Sequence, residues 1–127
     1  MSLSRHAAAL LVTALVGGCA AQGPSLAGYP GLQWQVISFY DDRATERSAA
    51  CPNPEMQSIT SHRVVGASPD RVVLDVRYYW IDWSQGTDIS GGTVTTCRDW
   101  GERTFTFART SDGGLEVRSM TGPQKRV

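Results

Sequence analysis

The residues with chemical potential are few. Three cysteines stand at positions 19, 51 and 97, and two histidines at 6 and 62. Acid–base or nucleophilic catalysis would draw on His62 with a serine and a carboxylate such as Asp75 or Asp82. No GxSxG elbow accompanies the histidine, and Thr60-Ser61-His62-Arg63 reads as the start of an exposed strand, so a surface histidine is expected. Asp41-Asp42 and Asp99 with Glu102 are the paired carboxylates. Glycoside cleavage needs two carboxyls facing one another across a sugar bond, which sequence neighbours on a helix do not do. They are read as solvated. No residue is assigned a catalytic role, and no cofactor is called for.

Cys51 and Cys97 admit two readings. A disulfide would close a loop of about 47 residues, worth roughly 4 kcal/mol on the chain-entropy model. Metal ligation with His62 is the rival, but no CxxC spacing supports it. The aromatic residues also cluster: Tyr78, Tyr79, Trp80, Trp83 and Trp100, beside Asp82 and Asp99. Alternation puts Tyr78 and Trp80 on a core face and Tyr79 and Trp83 on the other. If that second face is open, Tyr79, Trp83 and Trp100 form a surface suited to glycan or protein contact. If something covers it, they are core.

The elements that must position these residues follow from pattern. The chain has 127 residues and zero formal net charge, enough for one domain. Residues 1–18 form a leader, with Arg5 as the charged start, an apolar run over 7–16, and Gly17-Gly18 as small residues before Cys19. The run is about half the roughly 20 residues that cross a bilayer. Its loss removes Arg5 and no acid, leaving 11 basic and 12 acidic residues. Without basic blocks, nucleic acid is excluded as a partner. Residues 19–31 read as a glycine- and proline-rich tether. A helix is expected over 33–48, with Leu32, Val36, Tyr40 and Ala44 on one face and an Arg43–Glu46 pair. Strands follow over 57–65, 71–83, 93–97, 103–109 and 115–120. The globular domain spans 32–122, and 123–127 form a polar, frayed tail.

One helix and a meander of four to five antiparallel strands make an α+β fold in which a curved sheet packs on the helix. A small β-sandwich or barrel replaces it if 32–40 is a strand. The architecture resembles the cystatin-like and NTF2-like folds in topology alone; the NTF2-like alternative implies a ligand pocket lined by Tyr78, Trp80 and Phe105, serving a small-ligand-binding protein or enzyme.

Val16-Gly17-Gly18-Cys19 resembles the lipobox of bacterial lipoproteins. The resemblance implies that Cys19 is lipidated and becomes the first residue, with the membrane as its partner. Ala20 in place of aspartate implies the periplasmic face of the outer membrane. An ordinary secretory cut after Ala20 or Ala21 is the alternative. Lipidation leaves Cys51 and Cys97 as an even pair in an oxidising compartment. Cys97…Arg103-Thr104-Phe105-Thr106-Phe107…Met120-Thr121-Gly122 also resembles small envelope lipoproteins of Gram-negative bacteria, with no activity implied. Lysozyme-inhibitor lipoproteins offer a precedent, their SGxxY-type motif half-met by Ser90-Gly91-Gly92-Thr93-Val94. The expected function is therefore a non-enzymatic envelope lipoprotein whose domain binds an envelope protein or a cell-wall glycan.

Overall fold

In the computed structural model, residues 25–85 and 97–126 are described. Helix α1 covers Leu32–Arg43 and buries Leu32, Val36 and Tyr40, the i, i+4 stripe expected from the sequence. Before it, Leu26 and Tyr29 exchange backbone bonds across Ala27 and Gly28, both left-handed (φ 52 and 83). Leu26 is buried and Tyr29 packs on the core, so the end of the expected tether belongs to the folded unit.

Four strands follow: β1 Glu55–Ala67, β2 Arg71–Ile81, β3 Arg98–Arg109 and β4 Leu115–Met120. They form one antiparallel sheet in the order β1-β2-β3-β4, a plain meander with α1 on one face. The fold is α+β, as expected, and not a sandwich or barrel. Strand β2 alternates as read, with Val72, Leu74, Val76, Tyr78 and Trp80 all buried. Phe105 and Phe107 on β3 and Leu115 and Met120 on β4 complete the core layer. Cys51 and Cys97 are joined in a disulfide, so both sulfurs are occupied and the metal reading fails.

Several boundaries differ from expectation. The helix stops at Arg43 rather than at 48. Ala44 is extended (φ −75, ψ 149) and bridges to Gln124, while Thr45 N–H bonds Pro123 O at 3.1 Å. The C-terminal residues are therefore docked rather than frayed, and Lys125 N–H bonds Arg43 O at 2.7 Å. Strand β2 ends at Ile81 because the Asp82 carboxylate collects the N–H groups of Asn53 and Ser84, turning the chain into a 3-10 turn at Trp83–Gln85. Strand β3 starts at Arg98, five residues early, because Arg98–Glu102 pair with Ile81–Arg77 over a face open to water, where no apolar alternation is required. The expected strand over 93–97 lies almost wholly outside the described residues.

The expected Arg43–Glu46 pair does not form. Arg43 stacks over the Phe39 ring at 3.9 Å, and Glu46 serves Arg103 instead. Arg103 is 3% exposed and lies on the core face with Phe105 and Phe107. A guanidinium has five N–H donors, and all five are used. Nε donates to the Tyr78 hydroxyl, Nη1 to Thr121 O and Pro123 O, and Nη2 to Thr45 O and Glu46 Oε1. Glu46 Oε1 also accepts the Tyr40 and Tyr78 hydroxyls at 2.8 and 2.7 Å. Burial, reinforced by donation to Glu46, drives both phenols far above their ordinary range, so they remain neutral donors. Two glycines make room for this cluster. A Cβ on Gly101 would meet the Tyr78 hydroxyl at 2.6 Å, and one on Gly122 (φ +91) would meet Arg103 Nη1 at 2.9 Å.

Glu46→Ala leaves Arg103 buried without its anion and is expected to destabilise the domain by about 3 kcal/mol. Urea unfolding measures this, and a loss below about 1 kcal/mol, the level of an exposed pair, would contradict the assignment. Reducing the disulfide frees a long loop in the unfolded chain and is expected to remove up to roughly 4 kcal/mol. Unfolding curves that superimpose with and without reductant would refute that.

Candidate functional site

Helix α1 covers only one face of the sheet, and cross-strand register fixes what the other presents. Tyr79 lies opposite Trp100, Arg77 opposite Glu102, and Asp75 opposite Thr104, with Arg63 of β1 beside Asp75. The residues alternate with the buried set on β2, so none of them can turn inward without a register slip.

At one end of this face the Tyr79 and Trp100 rings lie 5.1 Å apart at 50°. Trp100 is 70% exposed and Tyr79 half-buried. Next along the strands, Arg77 Nε donates to Glu102 Oε2 at 3.0 Å. Beyond it, Asp75 accepts from Thr104 Oγ1 at 2.7 Å and from Arg63 Nη2 at 2.8 Å. The Thr104 bond first, and Arg63 with it, hold the Asp75 carboxyl below the usual range. Thr60, Arg77, Trp100, Gly101 and Glu102 line a shallow open depression of about 410 Å³. A second, of about 310 Å³, shares Arg77 and Glu102 and reaches Ser61, His62 and Asp75. The face is thus a strip, aromatic at one end and charged along its middle. Gly101 puts no side chain against the neighbouring Tyr78, which lets that ring lie directly beneath the strip.

No family model matches the chain, and no curated protein or solved structure matches it either. What the site can do must be argued from its geometry.

The candidate catalytic groups do not converge. His62 is exposed on β1 opposite Val76, while the Asp75 carboxylate is held by Thr104 and Arg63. Asp82 is buried and accepts Asn53 N–H, Ser84 N–H and the Ser84 hydroxyl. Of the paired acids, Asp41 caps Met56 N–H at 2.8 Å, and its carboxyl is raised by burial against the opposing pull of that bond. Asp42 is exposed. Asp99 accepts Trp100 N–H and lies 3.7 Å from Arg47, whereas Glu102 pairs with Arg77 on the open face. Asp41, Asp75, Asp82, Asp99 and Glu102 each have a local structural partner. Among the described residues, no group of three histidine, cysteine or acidic side chains could hold a metal ion.

The aromatic trio is only partly assembled. Tyr79 and Trp100 meet in a tilted contact, while Trp83, 64% exposed, sits past the end of β2 in the 3-10 turn and shares no ring contact with them. Tyr78, Trp80 and Phe105 are fully buried and fill the core where a ligand pocket was the alternative. Cys19 and Ser90–Val94 lie outside the described residues. Period-two reading already places Asp75 and Arg77 on the face of Tyr79. Their partners Glu102 and Thr104 come from β3, whose register no local pattern gives. Arg103 was missed, although its spacing from Phe105 and Phe107 puts it on the core face.

Burial alone would raise the Asp82 carboxyl, but the Ser84 hydroxyl and the two backbone N–H groups outweigh it and hold the group below its usual range. A lowered folded pKa contributes stability above the unfolded value, near 3.9, and loses it as pH falls through the folded one. Asp82→Asn is therefore expected to melt below wild type at neutral pH, with the gap narrowing below about pH 4. A gap that is constant across that window would show that the charge is not what Asp82 supplies.

Proposed function

We propose that the chain is an envelope lipoprotein whose domain binds a cell-wall glycan through the open face of its sheet. The leader over 1–18 is removed, Cys19 carries the lipid, and the domain is displayed at the periplasmic face of the outer membrane. Two or more acyl chains, each buried methylene contributing about 0.8 kcal/mol, give a stable anchor. The disulfide between Cys51 and Cys97 accords with an oxidising compartment.

The observation that carries the binding reading is the exposed Trp100 ring, supported by Tyr79 and flanked by the Arg77–Glu102 pair. A flat aromatic surface removes the apolar face of a sugar ring from water. The adjacent guanidinium and carboxylate supply a donor and an acceptor for its hydroxyls. The filled core supports binding at the surface rather than in an internal pocket, and no catalytic step is assigned.

Titration of the full-length protein with soluble peptidoglycan fragments tests this. Wild type binds, and Trp100→Ala binds about tenfold more weakly, a loss of about 1.4 kcal/mol. Equal binding by the two would remove the glycan reading; specific capture of an envelope protein by a photocrosslinker at position 100 would assign the face to a protein. Incorporation of a fatty-acid probe, abolished in Cys19→Ala, tests the anchor, and equal labelling would end it.

A further inference from the structure

We propose that the end of the domain carrying Trp34 rests on the lipid bilayer, with the Trp34 indole in the headgroup layer. The inference rests on lipidation of Cys19. Leu26 is already buried in the core, so only seven residues, 19–25, separate the lipid from the folded unit. At full extension seven residues span about 25 Å, and as a flexible coil roughly 15 Å root-mean-square. Strand β2 alone, at about 3.3 Å per residue, is longer than either. The end where the chain enters is therefore held within about 25 Å of the membrane, and it is the end that can reach it.

That end is defined by the fold. Tyr29 Oη accepts from Arg109 Nη1 at 3.2 Å, and Gln35 Nε2 bonds Leu115 O at 3.1 Å, which ties the start of α1 to the β3–β4 turn. Arg109 also donates to Ser68 O, bringing in the β1–β2 turn. Trp34 lies in the first turn of α1, is 55% exposed, and faces away from the sheet. Side chains on a helix lean toward its N-terminus, so the indole leans toward the anchored end. An exposed tryptophan with an apolar body and one N–H suits the membrane interface. Charge does not set this orientation: Arg71, Arg109 and Arg118 are balanced locally by Asp70, Asp112 and Glu116. Tyr79 and Trp100 are held eight strand residues from Arg71, about 26 Å along the sheet and away from the lipid.

The test uses the full-length acylated protein on vesicles of phosphatidylethanolamine and phosphatidylglycerol, with a brominated phospholipid as a quencher of tryptophan emission. Trp80 is buried, and Trp83 and Trp100 lie at the far end, so they report on the alternative orientation. Wild-type emission is expected to be quenched, Trp34→Phe to lose most of that quenching, and Trp100→Phe to keep it. Trp34→Phe quenched like wild type, or no quenching of protein that floats with the vesicles, overturns the orientation alone. Protein that fails to float overturns the anchor and the orientation together.

Discussion

The Arg103 guanidinium is the constraint on which the rest of the domain depends. A charge removed from water must have all its donors met, and a planar fork of five N–H groups dictates where the acceptors stand. They come from three separate stretches: Thr45 and Glu46 after α1, Tyr78 on β2, and the backbone after β4. Satisfying them ends the helix at Arg43, because Thr45 and Glu46 are needed beneath the sheet. It also docks the C-terminal residues, because two of their carbonyls are acceptors. Gly101 and Gly122 follow from the same geometry, since a side chain at either would occupy the space of Tyr78 or of the guanidinium.

Among the described residues a single helix on a four-stranded sheet leaves the second face to water, so the two faces carry different chemistry. The covered face holds the aromatic and aliphatic core with one saturated polar cluster. The open face holds charge ladders, whose exposed pairs add little to stability, and one aromatic pair that water would sooner see covered. Three carboxylates are spent on structure: Asp41 on the start of β1, Asp82 on the turn after β2, Glu46 on the core.

Pattern alone carried the architecture. The four-residue recurrence of Leu32, Val36 and Tyr40 located the helix, and the period-two run from Val72 to Trp80 located the central strand with its faces the right way round. Both signals arise from burial on one side. Where burial was absent, as over Arg98–Glu102, the strand was invisible, because its pairing is carried by backbone bonds and its side chains face water. Pattern extends the helix too far because Glu46 looks favourable on a helix, and local propensity says nothing of a buried cation 57 residues away. The aromatic surface was legible as composition. Which members meet was not: Tyr79 and Trp100 are joined by strand register, while the turn capped by Asp82 carries Trp83 away.

Strand β1 has thirteen residues, and among those described no strand lies along its outer side. A flat edge of that length is a template on which a neighbouring chain could add itself. Its register shifts at three places, which cuts the regular pairing into stretches no longer than Ser61–Val64. Each shift bends and twists the strand, so a second copy cannot follow it for long. The three irregularities thus act as a built-in protection against edge-to-edge aggregation.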